Sequence, residues 1–83
     1  MIHLTILKLQ STVFDGQVSS ITLPATQGEV TILPNHLPIV TSIKKGVISA
    51  TVGQGDDIAG EKKYFESNGG LLEFSDNKAA VLL

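Results

Sequence analysis

Catalysis and metal binding both need several reactive groups held within hydrogen-bonding reach of one another, and this 83-residue chain is sparing with such groups. His3 and His36 are its only histidines, and it has no cysteine. With no thiolate and no HxH or HxxxH spacing, a zinc site would have to draw carboxylates from distant turns. The serines, at 11, 19, 20, 42, 49, 67 and 75, lie in strand or turn patterns with no nucleophile elbow around any of them. They read as structural hydroxyls. Asp56-Asp57 lacks the spaced oxygen ligands and closing Glu of a calcium loop, and reads as a solvated turn. Gly53 and Gly55 lack both the strand-to-helix context and the Lys-Ser/Thr ending of a phosphate-binding loop. The sequence therefore assigns no catalytic residue, no metal ligand and no cofactor.

The polar residues that remain are better placed for contact than for chemistry. Glu29 and His36 lie near the ends of residues 28–38, a segment that reads as loops projecting from a rigid scaffold, where binding function often resides. Each also has an ordinary reading: a carboxylate opening a strand, and an imidazole bonded to its own loop backbone. Lys44-Lys45-Gly46 likewise reads first as a solvated turn.

Composition bounds the rest. A chain of 83 residues has room for one domain, residues 1–83, whose core must be thin because folding at this size hides only about 60–65% of the chain's surface. Hydrophobic residues make up 42% and charged residues 17%, a globular balance. No disulfide can supplement the packing. Six lysines, no arginine and a net charge of −2 leave no guanidinium for bidentate recognition of phosphate or bases, so nucleic acid is not an expected partner. The longest apolar run, Ala79-Ala80-Val81-Leu82-Leu83, is far shorter than the roughly 20 residues of a membrane-spanning helix. The opening residues resemble neither a secretory signal nor a transit peptide, so the protein is expected to stay where it is made.

The elements that would position these residues all read as strands. Ile2, Leu4 and Ile6 alternate with His3 and Thr5, and the phase then flips so that Leu7 and Leu9 alternate with Lys8 and Gln10. Period two indicates a strand, and the flip calls for a bulge or a crossing between two sheets. Asp15-Gly16 predicts a type I′ hairpin turn, and Thr26-Gln27-Gly28 predicts the next turn. Pro34-Asn35-His36-Leu37-Pro38 predicts a structured loop with Asn35 in the left-handed region. Further turns are predicted at Lys44-Lys45-Gly46, Asn68-Gly69-Gly70 and Ser75-Asp76-Asn77, with a polar connection over Gly53-Gln54-Gly55-Asp56-Asp57. No stretch sustains helical periodicity. Turn signals recur at roughly 8–12 residues, the rhythm of an all-β sandwich or barrel.

The run Leu23-Pro24-Ala25-Thr26-Gln27-Gly28-Glu29-Val30-Thr31-Ile32-Leu33-Pro34-Asn35-His36-Leu37-Pro38 resembles a motif of the epsilon subunit of F-type ATP synthases, in which a strand end, a Gly-Glu turn and a Pro-Gly-His-x-Pro loop follow one another. Val13-Phe14-Asp15-Gly16 is similar to that family's first hairpin, Ile43-Lys44-Lys45-Gly46-Val47 to its Lys-Pro-Gly turn, and Gly69-Gly70-Leu71-Leu72-Glu73-Phe74 to its Gly-Gly-x-Leu-Glu strand. The departures are Asn35 for the loop glycine, Lys45 for a proline, and a longer, more polar stretch over residues 52–61. The resemblance implies a ten-stranded sandwich of two sheets, a non-catalytic central-stalk subunit that links the gamma subunit to the c-ring and couples proton flow to ATP synthesis. Membrane association would be indirect, through the complex, at the cytoplasmic face of a bacterial inner membrane.

Carried over residue by residue, the resemblance places Thr26, Gln27, Gly28 and Glu29 on the turn that meets the c-ring, and Lys8, His36, Thr41 and Val47 on the gamma-facing side. Family members typically continue into a two-helix hairpin. The apolar end at Leu83 favours a truncated form, so inhibitory or nucleotide-sensing roles are not expected. Two alternatives from other classes remain: a biotinyl or lipoyl carrier domain presenting Lys44 or Lys45, and a stand-alone sugar- or peptide-binding sandwich. The first lacks the usual residues around its lysine, and the second has only Phe14, Tyr64, Phe65 and Phe74 as aromatic platforms.

Overall fold

The computed structural model describes residues 1–52 and 60–83, all of them strand, turn or loop. Its six strands are β1 (Ile2–Lys8), β2 (Ser11–Ala25), β3 (Gly28–Ile32), β4 (Ile39–Val52), β5 (Glu61–Ser75) and β6 (Lys78–Leu82). They are hydrogen-bonded in the order β1-β6-β5-β4-β2-β3, and an added β1–β2 pairing closes the first five into a ring with β3 attached outside. All pairings are antiparallel except β1 with β6. Closure suits a chain this small, because it removes most of the exposed sheet edge.

The all-β expectation holds, but the strand count differs. Among the described residues there are six strands where ten were expected, and three of the predicted turns lie inside long strands. Asp15 and Gly16 pair with Thr5 and Leu4 within β2. Lys45 and Gly46 pair with Asn68 and Ser67, joining β4 to β5 through two of the predicted turns at once. The pairing register runs unbroken through these positions. The first half of β2 pairs with β1 and the second with β3 and β4, while the halves of β5 share β4 as neighbour but only the second half reaches β6. Turn-forming residues thus lie inside continuous strands. The β2–β4 register slips between Thr22 and Ala25, where Pro24 has no N–H to offer the ladder. A Cβ on Gly46 would come within 3.0 Å of the Pro24 ring, so the unsubstituted glycine lets β4 arch over it.

Other expectations hold as made. The register slips between Ile6 and Leu7, where Ile6 faces Phe14, Leu7 faces Thr12, and Val13 is the extra residue of a bulge. Ala25 pairs with Gly28 around the turn at Thr26-Gln27. Asp76 and Asn77 both have positive φ (50° and 59°) and close the β5–β6 hairpin, the pattern expected of a type I′ turn. Asn35 has φ 69°. The polar connection over residues 53–57, including Asp56-Asp57, lies outside the described residues.

Alternation directs the apolar side chains inward. Ile2, Leu4 and Ile6 of β1, Val18, Ile21 and Leu23 of β2, Leu72 and Phe74 of β5, and Val81 of β6 are buried in one cluster. Among the described residues the buried polar side chains are Thr41 and Ser67. Ser67 Oγ accepts the Gly69 amide at 2.9 Å. No helix among the described residues is long and apolar enough to cross a membrane.

Candidate functional site

The β2–β3 hairpin brings Thr26, Gln27, Gly28 and Glu29 together as one tip. Thr26, Gln27 and Glu29 are exposed, and Gly28 has φ 128°, a conformation that glycine reaches without strain. The tip is tied back to β4: the Thr26 amide donates to the Ser42 carbonyl at 3.2 Å, and Gln27 Oε1 accepts from the Thr26 and Thr41 hydroxyls at 3.1 and 3.2 Å. Glu29 lies opposite Pro24 on the outermost strand.

The residues assigned to the gamma-facing side are strung along β4 and its flanks. His36 is half-buried before β4, with Nδ1–H donating to the Leu37 carbonyl at 2.6 Å and its ring edge-on to Phe74 at 6.0 Å between centroids. Its loop is held by the His36 amide on the Leu33 carbonyl and by reciprocal bonds between Asn35 and Asn77. Thr41 is only 7% exposed and points inward beneath the hairpin tip. Val47, farther along β4, is 56% exposed. It borders a shallow depression of about 240 Å³ with Lys45, Glu66 and Asn68. Asn68 also lines an adjoining hollow of about 290 Å³ with Lys8, Leu9 and Leu83. Asn68 is thus common to the depressions that Val47 and Lys8 line. The structure sets His36 apart beside Phe74, six residues along β5 from Asn68 and at most about 20 Å away.

Sequence reasoning missed three features of this surface. Leu9 is 89% exposed beside Lys8, and an apolar residue at a turn is a signal that strand periodicity overlooks. Val40, Leu71 and Leu82 are exposed on the outer face of β4, β5 and β6. His3 Nε2 also meets Asp15 Oδ1 at 2.5 Å, and the Thr5 hydroxyl donates to the same oxygen at 3.2 Å. The pair stands beside an open depression of about 430 Å³ lined by His3, Thr5, Glu73, Ser75 and Lys78. No group of three or more His, Cys, Asp or Glu side chains that could hold a metal ion occurs among the described residues.

The His3 hydrogen bond, opposed by desolvation and assisted by Thr5 and the charge of His3, holds the Asp15 carboxyl below its ordinary value of 3.8. A carboxylate with a lowered native pKa stabilises the fold above its unfolded pKa and loses that contribution as pH falls through the native value. The stability advantage of the unmodified chain over Asp15→Asn is therefore expected to be constant at neutral pH and to vanish on the acid side of 3.8. Melting temperatures of both forms from about pH 6 to pH 2 test this, and a difference that does not change with pH would refute it.

A closed β-sandwich with a tethered hairpin tip and exposed apolar side chains on its strands defines a small all-β scaffold domain. The chain belongs to the family described as ATP synthase, Delta/Epsilon chain, beta-sandwich domain, whose profile matches residues 1–83. It is 35% identical over 79 residues to the "ATP synthase epsilon chain" of Desulfitobacterium hafniense, covering 95% of this chain and 55% of that relative. The same-named protein of Halorhodospira halophila is 33% identical over 81 residues, covering 98% and 55%. The chain thus spans about half the length of these curated relatives.

Among solved structures, it superimposes on a chain of the Euglena gracilis mitochondrial ATP synthase (OSCP/F1/c-ring) with a TM-score of 0.83 at 20% identity, covering 98% of this chain and 49% of that one. A chain of the Tetrahymena thermophila mitochondrial ATP synthase, central stalk and c-ring, gives 0.73 at 16% identity, covering 98% and 61%. At these identities the likeness shows the shared fold.

Proposed function

We propose that this domain is a non-catalytic central-stalk element of a proton-translocating F-type ATP synthase, linking the gamma subunit to the c-ring. The observation that carries this reading is the family match along the whole of residues 1–83. It is supported by relatives named as ATP synthase epsilon chains and by like-folded chains in assemblies that include the c-ring. In this reading the tip formed by Thr26, Gln27, Gly28 and Glu29 meets the c-ring, where the Glu29 carboxylate accepts charge-assisted hydrogen bonds. Lys8, Val47 and His36 face gamma. Thr41 is instead buried beneath the hairpin tip, where its hydroxyl meets Gln27. The domain transmits torque and holds position, and its place is peripheral to an energy-transducing membrane, at the cytoplasmic face of a bacterial inner membrane.

The surface around Val47 has the mixture that a stable interface requires, an apolar anchor with a polar rim of Lys8, Lys45, Glu66 and Asn68. The chain is expected to form a stable complex with its cognate gamma subunit, and Val47→Asp is expected to weaken it at least about tenfold by forcing an unpaired carboxylate into the contact. Calorimetric titration measures both. Absence of binding at micromolar gamma would overturn the assignment.

A further inference from the structure

We infer that Thr41 is a positioning residue for the hairpin tip. It holds the turn at residues 26–29 in one conformation through Gln27, so that its part in docking is exerted from inside the domain. This rests on the reading of that tip as the c-ring contact. Its structural content stands on the hydrogen bonds themselves.

Thr41 and Ser67 are the buried polar side chains among the described residues, and a hydroxyl taken out of water is costly unless it is bonded. Ser67 is satisfied within its own strand. Thr41 instead reaches across to a different element, with Oγ1 lying 3.2 Å from Gln27 Oε1 and 3.3 Å from the Ser42 carbonyl. Gln27 is itself exposed, yet its side-chain amide is folded back over the turn between the Thr26 and Thr41 hydroxyls. Turning the amide over would exchange donor and acceptor and release the Thr41 O–H to Ser42. The link between β4 and the turn survives either way.

The backbone reinforces the same junction, because the Thr26 amide donates to the Ser42 carbonyl at 3.2 Å. Among the described residues β3 pairs with β2 alone, so no other described strand flanks the tip on its outer side. Without the Thr41–Gln27–Thr26 chain, the turn would be secured to β4 only through that amide and the neighbouring Ala25–Ile43 pairing. An exposed turn that must meet a moving partner loses affinity when it samples many conformations, since ordering it on contact costs entropy.

Amide hydrogen exchange of the full chain tests the latch. Thr41→Val, which keeps the shape and deletes the hydroxyl, is expected to speed exchange of the Thr26 and Gly28 amides about five- to tenfold, the effect of losing one such hydrogen bond. Amides of β1 and β6 should be unchanged. Thr41→Ser should stay near the unmodified rate, and Gln27→Ala should match Thr41→Val, with the double variant no faster than either. Unchanged tip amides, an equal rise across the whole sheet, or additive single effects would each overturn the inference.

The docking arm uses purified c-ring in detergent. Thr41→Val should weaken docking severalfold while leaving gamma affinity intact, and the opposite pattern would make Thr41 an interface residue and refute the latch. If the unmodified chain does not dock at all, the functional reading fails, and the exchange results alone decide whether Thr41 holds the tip.

Discussion

Gly70→Ala is expected to lower the melting temperature of the domain by at least about 15 °C. A Cβ at this position would lie 2.2 Å from the Leu82 carbonyl oxygen and 3.0 Å from the Leu83 side chain. The side chain could rotate away. The carbonyl is fixed, because Leu82 pairs with Leu71 on one side and Leu7 on the other, and the Leu83 amide donates to the Leu7 carbonyl at 2.8 Å. Relieving the clash therefore means pulling β6 away from β5 or β1. Overpacking of this kind costs roughly 3 kcal/mol or more. A chain of 83 residues has about 4–12 kcal/mol of stability in all. Thermal unfolding followed by circular dichroism would measure the effect, and a midpoint within about 4 °C of the unmodified chain would show that the two strands are not in this register.

Gly70 also shows where the sequence is legible and where it is not. Local chemistry identified the Asn68-Gly69-Gly70 segment as unusual, yet a chain reversal and a continuous strand can use the same residues. The choice between them is made by pairing partners far away in sequence. Asn68 sits opposite Lys45, and Gly70 opposite Ile43, contacts that no local pattern contains. Asp15-Gly16 is ambiguous in the same way, since its partner strand lies on the far side of the turn at Leu9-Gln10. By contrast, Asp76-Asn77 and Thr26-Gln27 were readable as reversals because strand-like runs, residues 71–74 and 78–83 or 18–23 and 29–33, flank them closely. The bulge after Ile6 was readable because alternation reports directly which face is buried.

The site divides along the same line. The hairpin tip is contiguous in sequence, and its motif was visible. Thr41 and Gln27 are 14 positions apart, and nothing in composition or periodicity says that one supports the other. Inward alternation did hold a clue, because Thr41 lies in phase with Ile39 and Ile43 and so had to be buried when they were. Leu9 and the His3–Asp15 pair were hidden for the converse reason. Their meaning depends on which strands become neighbours, and the closure of β1 onto both β2 and β6 decides that.

Phe74→Ala is the substitution expected to connect core and surface most directly. Phe74 is 1% exposed and is the largest fully buried side chain. It lies opposite Ile39 and Ala79, with the His36 ring standing edge-on against it. Truncation removes the ring and leaves a cavity that β-strands pinned on both sides cannot collapse to fill, which costs about 3–5 kcal/mol. In so small a domain this amounts to a fall of about 15–30 °C in melting temperature. Phe74→Leu keeps most of the volume and should lose under about 1.5 kcal/mol. Because His36 rests on this ring, the variant that still folds has a second consequence. In Phe74→Leu the His36 imidazole loses its edge-on partner but keeps the Leu37 hydrogen bond, so its NMR signals should shift and broaden while those of the hairpin tip stay sharp. If Phe74→Ala melted within about 4 °C of the unmodified chain, the His36 loop would have to be held by its Leu33 hydrogen bond and by Asn35 and Asn77, and the core would not be what fixes it.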